Sequence, residues 1–238
     1  MYQTDKGGRL AMDKKGLARQ AYIKALEKKL EKARNSYEIA RKDTIEAEGR
    51  MVTRYDSTKT ETAWLADGYL KEVKELEHCI ESMAHGREYA NLSDKVSIDR
   101  ITGAGYEKTL EYILARDGEQ RIPEHLFISV IGSVPGDVIS VEENKQHVEY
   151  QVRTIEKGKT DERAAIESIV TVEDEYGDED QYFIVNHVGG VEVEAEGNLI
   201  FCVSKQAPIA KALLGRKKGE QVVIDLGKEQ TFLVKDVQ

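Results

Sequence analysis

Two cysteines in 238 residues, Cys79 and Cys202, exclude a disulfide-built fold and leave no Cys-x-x-Cys pair for a structural metal. They lie far apart in unlike surroundings and read as reduced packing residues of a cytosolic protein. No run approaches the ~20 apolar residues that cross a bilayer, so no membrane span is expected. The opening stretch MYQTDKGGRLAMDKKG carries lysines but no apolar h-region, so no secretory leader is expected either. The five histidines never fall at HxxxH or HExxH spacing, which argues against a metal centre of the protein's own. Its glycines never form GxGxxG or GxxxxGK[ST], and no Gly-x-Ser-x-Gly elbow occurs. The dinucleotide and P-loop signatures and the commonest hydrolase signature are therefore missing.

Charge is plentiful but uneven. A formal net charge of −9 disfavours non-specific coating of nucleic acid. Yet between Lys14 and Arg34 eight Lys or Arg residues stand against two Glu, and between Asp161 and Asp180 nine acids face only Arg163. Lys24, Lys28 and Lys32 recur every fourth residue and form a candidate basic face; solvation alone is the plainer reading of such a run.

From Ile23 the apolar or small residues fall at Ile23, Leu26, Leu30, Ala33, Tyr37, Ala40, Thr44, Ala47 and Met51. This alternation of three and four is a heptad seam, which predicts a helix roughly 50 Å long. A second periodic segment follows, with Ala63, Ala66, Leu70, Val73, Leu76, Ile80 and Met83 on its stripe, ending near His85 and Gly86. A short turn between two stripes favours antiparallel pairing, so 12–85 is expected to be an antiparallel coiled-coil hairpin with its tip near 54–61, RYDSTKTE. Residues 86–160 read as a middle segment, with a helix at about Gly105–Ala115 and strand-like HLFISVIG, DVISVEE and VEYQVRTIE. GKTDE (158–162) suits a linker. Residues 165–238 carry five Val- and Ile-rich runs expected to form an antiparallel sheet, with a short helix at Ile209–Leu214 behind Pro208. The fold class is α+β: an N-terminal helical hairpin, a β-rich middle and a C-terminal antiparallel sheet with a short helix. One echo runs through it. FISVIGSVPGDVISVEENKQHVEYQVRTIEK (127–157) and IAKALLGRKKGEQVVIDLGKEQTFLVKDVQ (209–238) share one order of apolar segment, glycine, turn, strand, turn and strand. Either two related β modules or the common grammar of hairpins accounts for it.

The tip carries Asp56, Lys59 and Glu61, flanked by Trp64, Leu65 and Tyr69. Exposed carboxylates at the end of a rigid arm make no perturbed base unaided. Carried into another protein's cavity, they can help hold Mg²⁺ or orient a water; plain turn capping is the alternative. An exposed Trp64 would suggest a contact.

The run VSKQAPIAKALLGRKKGEQVVI resembles the C-terminal motif of the bacterial Gre transcript-cleavage factors, v-[ST]-x-x-[SA]-P-[IL]-[AG]-x-A-L-x-G-k-k-x-G-[DE]-x-V. It matches at Ser204, Pro208, Ala212, Leu213, Gly215, Lys217, Gly219 and Glu220. The resemblance covers 165–238 well and the hairpin in architecture only. It implies an FKBP-like C-terminal domain that docks on bacterial RNA polymerase, with Ser204, Pro208, Leu213, Gly215 and Lys217 as docking candidates. It also implies a coiled coil that enters the secondary channel and contacts RNA or DNA within the complex. No catalytic centre or cofactor of its own is implied: Mg²⁺ belongs to the polymerase, and the factor is expected to be a cytoplasmic monomer. The family's tip reads roughly G-D-x-x-E-N-A-E-Y, with two acids three apart. Here Asp56 matches, Lys59 holds the second acid's place and Glu61 follows five residues after Asp56. A cation there repels Mg²⁺, which points to a modulator of transcription rather than a stimulator of cleavage.

Overall fold

The computed structural model describes residues 13–48, 58–84, 95–102, 105–113, 124–143, 146–156, 163–225 and 229–238. The chain divides into two compact units, one of Arg19–Gly86 and one of Met1–Ala18 together with Arg87–Gln238.

Helix α1 spans Lys14–Glu48 and α2 spans Thr58–Ala84. Asp13 starts α1: its carboxylate accepts the Gly16 N–H at 2.8 Å, and its carbonyl accepts the Leu17 N–H at 3.0 Å. The predicted seam is realised as buried Leu26, Ala33 and Ala40, with Leu30, Tyr37 and Thr44 half-buried between them. Upstream the row runs through Tyr22 rather than Ile23. On α2 the buried row is Val73, Leu76, Cys79 and Met83. The helices run antiparallel: Arg19 donates to the Met83 carbonyl, and farther along α1 Arg34 pairs with Glu77, which precedes Met83 on α2, at 2.6 Å. That exposed ion pair contributes at most about 1 kcal/mol. Each buried leucine contributes about 1.5–3 kcal/mol, so the apolar rows hold the pair together and the ions only set register.

In the other unit, β1 (Lys95–Thr102), β2 (Gly105–Ile113), α3 (Glu124–Val130), β3 (Val138–Glu143) and β4 (Gln146–Glu156) form a four-stranded sheet, ordered β2-β1-β4-β3, with one helix. Then come β5 (Ile169–Glu173), β6 (Glu179–Val185), β7 (Val191–Ala195), β8 (Asn198–Ser204), α4 (Pro208–Leu213), β9 (Gln221–Asp225) and β10 (Glu229–Val237). They make a six-stranded sheet ordered β7-β8-β6-β5-β10-β9.

Three expectations are corrected. The segment expected to be helical from Gly105 is strand β2, paired antiparallel to β1 from Lys95↔Ile113 to Thr102↔Gly105. Tyr106, Leu110 and Ile113 fit a helical stripe, but the sequence-distant β1–β4 pair supplies an edge that β2 extends. HLFISVIG is not a strand: α3 occupies most of it and ends at Val130, and Gly132 just beyond has a φ of 78°, which suits a residue without a Cβ. The C-terminal sheet is mixed, because β8 returns parallel to β6 through the β7–β8 hairpin. The linker expected at 158–162 lies outside the described residues.

The stretches 86–160 and 165–238 do not have separate cores. Val96 and Ile98 of β1, Leu126 and Val130 of α3, Val170 and Val172 of β5, Leu213 of α4 and Val234 of β10 belong to one buried cluster. On the opposite face of β1, Asp99 is also buried, at 1% exposure. Its carboxylate accepts the Thr109 hydroxyl at 2.6 Å and pairs with Arg153. The Thr109 hydrogen bond, then Arg153, hold its pKa below the ordinary carboxylate value against the opposing effect of burial. A depressed folded pKa means that this stabilisation is present above the unfolded value and is lost as pH falls through the folded one. In acid titrations of stability, Asp99→Asn should therefore flatten the decline below about pH 4. An unchanged acid limb would deny the carboxylate that role.

Candidate functional site

The first turn of α2 begins at Thr58, so Lys59 and Glu61 lie on a helix and not in the connecting turn. Asp56 and the rest of 54–57 lie outside the described residues. Glu61 is exposed and is the acidic residue of that first turn, where a carboxylate meets the positive end of the helix dipole for about 0.3–1 kcal/mol. Trp64 is 70% exposed, Leu65 is also exposed, and Tyr69 is half-buried. A tryptophan so open at the start of a helix is costly in water and suited to a partner. Lys24, Lys28 and Lys32 are exposed along one side of α1, with Glu27 and Glu31 interleaved. The row is basic but not uniformly so.

The motif around α4 folds for local reasons. Ala207 precedes Pro208 and takes the extended conformation that proline imposes, φ −63° and ψ 143°. Pro208 then starts the helix where its missing N–H costs nothing. Ser204 closes β8, and its carbonyl accepts the Ala207 N–H at 2.9 Å. Gly189 packs against this turn so tightly that a Cβ there would lie 2.5 Å from the Ser204 amide nitrogen. Of the docking candidates, Leu213 is fully buried and Gly215 is buried. The Gly215 N–H donates to the Ala164 carbonyl at 2.8 Å, and the Gly215 carbonyl accepts Arg163 Nη1 at 3.1 Å. These two positions hold the fold and cannot touch a partner. Pro208 is exposed, while Ser204 and Lys217 are half-buried. Lys217 also bridges to Arg163 through the backbone.

Two polar residues that the sequence did not single out lie beside this motif. Asn186, just after β6, donates from Nδ2 to the Gly132 carbonyl at 2.7 Å. Lys205, inside the quoted motif, donates from Nζ to the Ile131 carbonyl at 2.5 Å. Both satisfy carbonyls at the end of α3, fastening the two sheets to each other. Burial pushes the Lys205 ammonium down to about 8, with Asp137 acting in the opposite sense.

A groove of about 450 Å³ opens on β6, β7 and β8, lined in part by Tyr182, Phe201, Asp180 and Glu192. The two rings lie 5.9 Å apart. Burial, then Asp180, pushes the Tyr182 phenol up to about 12, so it stays a neutral donor. The groove offers an aromatic floor and a carboxylate rim.

Residues 159–238 match the family model described as "Transcription elongation factor, GreA/GreB, C-term". Among solved structures, the GreA factor homolog 1 (Gfh1) protein of Thermus thermophilus is 16% identical, with 91% of this chain and 94% of that chain covered and a TM-score of 0.25. Gfh1 of Thermus aquaticus is 18% identical, with 92% and 95% covered and a TM-score of 0.28. Superpositions of that quality carry no weight for the whole chain. No curated protein matches the sequence. Among the described residues, no helix is long and apolar enough to cross a membrane.

Proposed function

We propose, from the premise that residues 159–238 are a GreA/GreB-type C-terminal domain, that the protein binds bacterial RNA polymerase and modulates transcription. The family match is the observation that carries this reading; the antiparallel α1–α2 pair is consistent with it. In this reading the C-terminal domain docks through the surface around Ser204, Pro208 and Lys217, and the helix pair enters the secondary channel tip first. The chain does no chemistry of its own. Lys59, where the Gre tip has an acid, disfavours recruiting a second Mg²⁺ and favours contact with phosphate or with acidic walls. Exposed Trp64 supplies an apolar anchor behind the tip. A second reading, stimulation of transcript cleavage by the polymerase's own Mg²⁺, is favoured by the carboxylates Asp56 and Glu61.

Adding the protein to a backtracked elongation complex with Mg²⁺ separates the readings. The modulator leaves RNA 3′ ends intact and slows nucleotide addition. Trp64→Ala should then weaken polymerase binding about tenfold, as loss of an interface anchor does. Shortened 3′ ends that vanish with Asp56→Asn and Glu61→Gln establish the stimulator instead. Absence of both binding and effect removes either role and leaves a coiled-coil adaptor for some other partner.

A further inference from the structure

The sequence echo is a structural repeat at the level of single hydrogen bonds. In the first copy the Gly136 N–H donates to the Val152 carbonyl at 2.7 Å, and the Val152 N–H donates to the Asp137 carbonyl at 2.9 Å. In the second, Gly219 and Val234 make the first bond at 2.7 Å, and Val234 and Glu220 make the other at 2.9 Å. Gly132 and Gly136 have φ of 78° and 100°; their counterparts Gly215 and Gly219 have 84° and 87°.

The strands correspond too. The β3-β4-β1-β2 order repeats as β9-β10-β5-β6, every pair antiparallel. Even the irregularity recurs. Ile98↔Val152 and Ser97↔Thr154 skip Arg153, just as Val172↔Val234 and Thr171↔Asp236 skip Lys235. Each skipped residue is basic and pairs with an acid on the neighbouring strand: Arg153 with Asp99, and Lys235 with Glu173 at 2.7 Å. A bulge with the same charge pair at the same place is not a property of hairpins in general.

Among the described residues the copies differ at one edge. Between β6 and α4 the second copy inserts β7–β8, and β8 lies parallel along the outer edge of β6, from Tyr182↔Phe201 to Val185↔Ser204. The first copy passes from β2 to α3 with no described strand between, and among the described residues no strand pairs with the outer edge of β2. We infer that residues 95–156 are a second copy of the C-terminal module, with no counterpart of its β7–β8 hairpin among the described residues, and that the outer edge of β2 is a strand-addition site for an extended segment of a partner polypeptide.

The sister copy identifies the kind of occupant. On β6 the position is filled by a strand that alternates buried with more exposed residues, Ile200 and Cys202 inward, and runs parallel to its neighbour. Backbone hydrogen bonds would supply most of the affinity, and alternating apolar side chains would continue the row that Leu110 presents to the core. A second copy of this chain fits poorly. Two-fold pairing of one edge strand with itself is antiparallel, whereas the sister edge accepts a parallel strand.

The test is hydrogen exchange on the full chain, alone and with a synthetic peptide of residues 190–204, the hairpin that covers the corresponding edge of β6. Outward amides of β2 should exchange freely in the protein alone and slow about tenfold with millimolar peptide. Amides of β3 and β9, edges with no partner strand among the described residues, should not change. The proposal is overturned by outward β2 amides already protected in the free protein, by no protection at millimolar peptide, or by equal protection of β3 and β9. Equal binding of a scrambled peptide, or protection that tracks self-association in sedimentation, overturns it as well.

Discussion

Leu213→Ala is expected to destabilise the protein by about 2–5 kcal/mol, the range for removing a fully buried leucine and leaving its cavity partly unfilled. Small domains hold only about 5–15 kcal/mol in total, so the variant would sit near the limit of folding. Leu213 shares one buried cluster with Val96, Ile98, Leu126 and Val130 of the four-stranded sheet and its helix. Its loss should therefore lower protection of β1 and β4 together with β5 and β10 in denaturant-dependent hydrogen exchange. Loosening of the C-terminal sheet alone would mean that the cluster is continuous in space but not in cooperativity. If the proposed polymerase binding holds, a variant that folds normally yet fails to bind would restore Leu213 as a contact residue.

The second large effect belongs to Lys205. Its ammonium is depressed from the ordinary 10.5 to about 8 by burial at the end of β8. Between those values the unfolded chain holds a proton that the folded protein lacks, so stability from this group rises with pH. The difference integrates to about 3 kcal/mol, fully expressed as a penalty below pH 8 and relieved as pH approaches 10.5. Lys205→Met should abolish this slope, read as the wild-type minus variant difference in urea unfolding between pH 7 and pH 10. The Ile131 carbonyl loses its donor in that variant, which lowers stability by a similar amount at every pH and leaves the slope as the diagnostic. A parallel pair of pH curves would mean that the ammonium is solvated.

Much of the architecture was legible because period is a physical signal. The heptad rows of α1 and α2 appear in the structure almost residue for residue, and Pro208 starts α4 where a proline fits best. The failures came where one pattern satisfies two periods. GYEKTLEYI places Tyr106, Leu110 and Ile113 on a helical stripe and also pairs along the whole of β1; only the neighbouring strands, distant in sequence, decide. HLFISVIG is a short apolar run that suits a buried strand or a buried helix equally, and the left-handed Gly132 resolves it. The parallel β8 was hidden because strand direction leaves no mark on composition.

At the candidate site, the motif located the C-terminal domain but not its surface. Leu213 and Gly215 recur in such a motif because the fold needs them, and burial removes them from any interface. The Asn186 and Lys205 contacts were out of reach because their acceptors are backbone carbonyls, which no side-chain pattern announces.

The fastening of α3 by side chains from the far module has a practical corollary for protein engineers. A cut anywhere between 156 and 163 would strand two carbonyls on one fragment and their donors on the other, and bare the apolar underside of both. Chimeras should accordingly keep 95–238 together; swapping the last eighty residues alone would deliver a graft with an unclosed wound.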